Sequence, residues 1–153
     1  MTPDPALWPA LAAAGLGAFL DLRDRRLPNW LCAVLAVAAA GGLAYSAGFE
    51  TLAWAFLHAV LALAVGMVLF RFGAIGGGDA KFYAAAACAV PFGQALVLLG
   101  WTSVVGLGLI VVMLLMRAAK RGGKDALALR GWSVPYGVAI FGGFVLTTFV
   151  TVG

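Results

Sequence analysis

Charge is scarce in this chain. Of its 153 residues only 10% are Asp, Glu, Lys or Arg, while 64% are hydrophobic, and the mean hydropathy is +1.05. A water-soluble domain of this length has no interior large enough to hide so much apolar surface, so a soluble fold is excluded. Cysteine is scarce too. Cys32 and Cys88 stand singly inside apolar runs, without CxxC spacing, and read as small core residues rather than as a zinc site. No P-loop spacing, long repeat or low-complexity tail is present, and the first apolar segment lacks the basic stretch of a cleaved signal peptide. No metal and no cofactor is expected.

What remains is apolar sequence in six runs, at roughly 6–24, 29–47, 51–70, 79–94, 95–116 and 133–152. The expectation is an all-α, polytopic membrane protein of six transmembrane helices, forming a single domain over 1–153. The first and fourth runs are short. Ala6–Leu20 and Ala80–Val90 would span about 20 Å and about 16 Å at about 1.5 Å per residue. They reach across a bilayer only if helix continues through Asp21 at one end and through Pro91 to Gln94 at the other.

Orientation follows from the basic residues. Arg23, Arg25, Arg26, Arg71, Lys81, Arg117, Lys120, Arg121, Lys124 and Arg130 all fall on one side if there are six crossings. The other side keeps only Asp4 and Glu50. Five crossings would send the 117–130 cluster outward, against the positive-inside rule. Both termini are therefore expected on the non-cytoplasmic side. The net charge of +4 reads as orientation and contact with the lipid bilayer's anionic headgroups, not as nucleic-acid binding.

Four acids remain on the cytoplasmic side: Asp21, Asp24, Asp79 and Asp125. Asp125 sits in the basic loop and reads as surface. Asp79 follows Gly76-Gly77-Gly78 at a helix start, where an aspartate often serves only as an N-cap. A cap explains neither the three glycines nor Lys81 two residues on. Glycines let a backbone pass close to another chain, the clearance an extended peptide needs. Asp21 closes the first span, and Asp24, three residues on, shares its helical face as a rival. Two carboxylates held close share one proton, so one can activate water while the other polarises a carbonyl.

These residues resemble a known family. Gly76-Gly77-Gly78-Asp79-Ala80-Lys81 resembles the GxGD signature of intramembrane aspartyl proteases, in the GGGDxK form of type IV prepilin peptidases. Asp21-Leu22-Arg23 with Leu27-Pro28-Asn29 resembles the family's first-aspartate motif, with leucine for the commoner isoleucine. Val134-Pro135-Tyr136-Gly137 resembles the Pro-Tyr-Gly segment opening the last helix of the short members, which serve tight-adherence (Flp-type) pili. The resemblance implies that Asp21 and Asp79 are catalytic. Gly76, Gly77, Gly78, Lys81 and Asp24 are candidates for substrate binding or support. It also implies prepilin substrates, cut after a short basic leader at the cytoplasmic face of the bacterial inner membrane. The chain lacks the cysteine-bearing insertion of the larger members, which argues against N-methylation.

A basic leader would meet ten basic side chains on that side, so recognition is expected to rest on the substrate helix and on contacts near the aspartates. Two rivals come from other classes: a small transporter that relays ions or protons through Asp21 and Asp79, and a non-catalytic pilus assembly factor. His58, deep in the third segment, is expected to be a neutral imidazole bonded to a neighbouring helix. Most of the five tryptophans, Trp54 and Trp101 among them, lie near span ends, at headgroup depth.

Overall fold

The computed structural model describes residues 4–121 and 134–151; Lys124, Asp125, Arg130 and Trp132 lie outside them. Every regular element among the described residues is helical: α1 (Trp8–Asp24), α2 (Asn29–Arg71), α3 (Gly77–Ala87), α4 (Ala95–Arg121) and α5 (Tyr136–Thr151). Short 3-10 turns at Pro5–Leu7 and Phe92–Gln94 precede α1 and α4. Pro5–Asp24, Asn29–Arg71 and Phe92–Ala119 are each long and apolar enough to cross a bilayer. The outer surface is apolar as well, with Val37, Phe56, Val60, Leu96 and Leu107 all exposed. Such an exterior suits lipid.

Helix α2 is not a straight rod. Its 43 residues would extend about 65 Å, yet both of its ends lie beside the start of α3. At one end Lys81 Nζ donates to Asn29 Oδ1 at 3.1 Å. At the other the Phe70 ring packs on Gly77. The chain folds back at Gly48, whose φ of 83° and ψ of 172° are the non-helical values inside α2. Only glycine takes that conformation readily. Each half is about 30 Å long, which matches the hydrocarbon core of a bilayer. The second and third apolar runs are thus the two halves of α2.

The fourth run differs from expectation. Its helix stops at Ala87 instead of continuing through Pro91 to Gln94. Cys88, Ala89 and Val90 donate to Ala85, Ala86 and Ala87, so the last turn tightens to i→i+3 bonds before the proline. Helix α3 is therefore only about 16 Å long, and it is central. Ala80, Phe82 and Ala84 through Ala87 are all buried, on every side of it.

Small residues set how closely the other helices approach. On α1 the buried positions are Ala10, Ala13, Ala14, Gly17, Ala18 and Asp21, a 3–4 spacing that places Asp21 on the inward stripe. The second half of α2 buries Ala55, His58, Ala59 and Gly66 at the same spacing. Helix α2 packs most heavily on α3, α4 on α5, and α1 on both α5 and α2. A Cβ on Gly17 would lie 2.5 Å from the Phe82 ring, and Phe82 is fully buried with nowhere to retreat. Gly17→Leu should therefore destabilise the bundle by about 1–3 kcal/mol, the usual cost of overpacking. Thermal unfolding in detergent reads this directly, and an unchanged midpoint would show that α1 and α3 do not depend on that approach.

Candidate active site

The inward stripe of α1 ends in a carboxylate that is 7% exposed, Asp21. A backbone group from the far end of the chain meets it. Gly137 N–H, in the first turn of α5, donates to Asp21 Oδ2 at 2.7 Å. Helix N-termini carry unpaired N–H groups and partial positive charge, so this end of α5 is built to receive an anion. The contact needs glycine, because a Cβ on Gly137 would lie 2.9 Å from Asp21 Cβ and Oδ2. Beyond Asp21 the helix soon ends. Arg25 turns left-handed (φ 52°, ψ 37°) while its N–H donates to Asp21 O at 3.1 Å. The Arg25 charge acts on Asp21.

Asp79 comes from the first turn of α3. The N-cap there is Gly76, not Asp79, with Gly77 and Gly78 in the first turn. The Asp79 carboxylate reaches back and accepts from Gly76 N–H, as the acid of a capping box does. A Cβ at Gly76 would lie 2.5 Å from Asp79 Oδ2. This glycine leaves room for the acid as well as for anything beside it.

Asp21 and Asp79 share one cleft of about 550 Å³, together with Arg25, Arg26, Gly76 and Gly78. Pro28 and Asn29 form one rim, and Val134 and Pro135 another. The Asp21 charge acts on Asp79. Residues 21 and 79, distant in sequence, thus line one partly enclosed cleft together with Gly76 and Gly78.

The remaining candidates lie around this cleft. Gly77 packs on Phe70 and does not line it. Lys81, a candidate for substrate binding or support, donates to Asn29 on the rim. Asp24 is exposed and faces Arg23, whose Nε lies 3.6 Å from Asp24 Oδ1. The inward stripe passes through position 24, but α1 has reached its last residue there and has no neighbour to pack on. Among the described residues no group of three or more His, Cys, Asp or Glu could hold a metal ion. Sequence reading did not single out Gly137, Arg25 or Arg26 as site residues. The Pro135-Tyr136-Gly137 segment was the one signal for Gly137, with nothing to show that its N–H would meet Asp21.

A family model described as the type IV leader peptidase family matches residues 8–112, a stretch that includes both aspartates and the three glycines. No match was found among curated proteins or among solved structures.

Proposed function

The chain belongs to the type IV leader peptidase family, and from that premise we propose that Asp21 and Asp79 are the catalytic pair of a prepilin leader peptidase. Members of the family are aspartic-type proteases that remove prepilin leaders, and this chain is an enzyme of that class in an apolar, membrane-type fold. The observation that carries the residue assignment is the shared cleft of the two acids.

In this reading the peptide to be cut lies extended across Gly76 and Gly78. One carboxylate is ionised and the other protonated, because two close carboxylates hold one proton between them. The ionised acid takes a proton from water, whose oxygen attacks the scissile carbonyl carbon while the protonated acid hydrogen-bonds the carbonyl oxygen. Collapse of the tetrahedral intermediate breaks the C–N bond, and a carboxyl proton passes to the leaving amine. Gly137 N–H occupies Asp21 Oδ2, so any proton Asp21 carries sits on Oδ1. No metal or cofactor enters these steps.

Six spans with both termini outside, a cytoplasmic-facing cleft in the bacterial inner membrane and Flp-type prepilins as substrates complete the proposal. The charge distribution and the two halves of α2 support the topology. The relay reading has less support, since the space beside Asp79 is walled mainly by apolar residues, Leu61, Val65, Leu69 and Ile110 among them.

The test is co-expression with a candidate prepilin, following substrate size on a gel for wild type, Asp21→Asn and Asp79→Asn. Cleavage that survives in both variants would remove the aspartyl mechanism, and absence of cleavage by wild type would favour an assembly role. Asp24→Asn should keep activity within about threefold, because an exposed ion pair contributes little.

A further inference from the structure

The chain's single histidine takes no part in that chemistry. His58 is 4% exposed, and its Nδ1 lies 2.8 Å from Val90 O. A carbonyl oxygen only accepts, so Nδ1 carries the proton of the neutral ring and Nε2 keeps a free lone pair. The ring stands edge-on to Tyr83 and Phe92, with centroids 6.4 Å and 6.5 Å away. Those contacts and the Val90 bond fix its orientation. Among the described residues the one sealed side-chain N or O atom without a partner is Thr102 Oγ1. Nε2 is therefore not sealed, and the space beside it is a second cavity.

That cavity is a groove of about 570 Å³ between the second half of α2 and α4. Leu61, Val65 and Leu69 form one wall, and Leu96, Leu99 and Leu107 the other. These two helices make little direct contact, which keeps the groove open along its length. Asp79 lines both the groove and the cleft, so the two spaces adjoin at the acid.

We propose that this groove seats the apolar helix of the substrate beyond the cut bond, with His58 Nε2 accepting from one hydrogen-bond donor on that helix. The proposal rests on the peptidase reading. The place of the groove beside Asp79 selects the occupant, since a chain cut at Asp79 continues from the acid and the adjoining space is apolar. The unpaired nitrogen selects further. A lipid acyl chain offers no donor and leaves Nε2 unsatisfied in hydrocarbon, whereas a helix bearing a hydroxyl or amide side chain satisfies it.

The geometry also sets a register. Gly66 packs on Ala80, where a Cβ would lie 2.8 Å from the alanine's own, so Asp79 is level with this part of α2. His58 lies about eight residues along α2 from there, or roughly 12 Å. A helix starting at the cut bond brings its side chain at about the eighth position, within a turn either way, against Nε2. His58 is thus a specificity-determining residue that reads position along the substrate helix.

The experiment uses the full chain in phosphatidylethanolamine–phosphatidylglycerol vesicles. The probe is a reporter with a prepilin leader followed by a leucine–alanine helix, with a single glutamine walked through that helix. Wild type should show a maximum in kcat/KM near the eighth position, about tenfold over the all-apolar helix and carried by KM, as for one buried hydrogen bond. His58→Asn keeps a donor for Val90 O but lacks the groove-facing nitrogen, and the ratio should fall from about ten to about one. A flat profile in wild type, or the same maximum in His58→Asn, overturns the proposal.

A second readout does not need cleavage. In Asp21→Asn protein carrying Leu99→benzoylphenylalanine, ultraviolet light should join the groove to the reporter helix. Cross-links only to lipid, or only to a second copy of the chain, overturn the proposal. If wild type cuts no reporter the peptidase reading fails, and the cross-link still decides what fills the groove.

Discussion

Asp79→Asn is expected to reduce leader cleavage by about 10³-fold or more, and Asp21→Asn to do the same. The substitutions are mild in every other respect. Asp79 accepts from Gly76 N–H and Asp21 from Gly137 N–H, and an asparagine carbonyl oxygen can accept both bonds. The caps and the bundle should therefore persist, and the loss should appear in kcat with little change in thermal stability. In the proposed mechanism the two acids act on one water and one carbonyl, so their effects should not add. The double variant should be about as inactive as either single one. Single-turnover cleavage in detergent measures this. A double variant slower by the product of the two single effects would mean that the acids work independently.

Gly137→Ala should lower kcat by about 10²-fold, although it adds only a methyl group. An added Cβ lies 2.9 Å from Asp21 Cβ and Oδ2, and both partners belong to packed helices, so one of them must shift. A shift of about an ångström is enough to misplace a catalytic group. Alanine otherwise favours a helix by about 1 kcal/mol over glycine, which offsets part of the overpacking. The variant should be stable and slow. Gly108→Ala is the control, since nothing lies within 4 Å of its added Cβ, and it should behave as wild type. Near-normal turnover in Gly137→Ala would show that the Asp21–Gly137 bond is dispensable.

The apolar runs were legible because membrane helices must be about 20 residues of hydrocarbon-compatible sequence, and few other folds produce that pattern. That Asp21 and Asp79 would share a cleft was legible because a charge at the edge of such a run is costly without a purpose. His58 was expected to bond a neighbouring helix; it bonds instead Val90 O, in the turn that follows α3. Partners were harder to read. Gly137 contributes a backbone N–H, which every residue but proline has, across 116 positions of sequence. Lys81 reached Asn29 rather than its near neighbour Asp79 because a helix turns Lys81 away from a residue two positions back. The early end of α3 depended on tightened bonds before Pro91 that composition does not reveal.

The one-residue reversal at Gly48 bears on how the protein is made. A pair of spans joined by a long loop can enter a bilayer one after the other. With a single glycine between them, the first half of α2 has no slack on which to wait for the second. In the proposed six-span topology the two halves cross together as a preformed hairpin. A substituted Gly48 would then show its defect during biosynthesis, as poor insertion and rapid turnover of the new chain, while molecules that did insert would cut substrate normally.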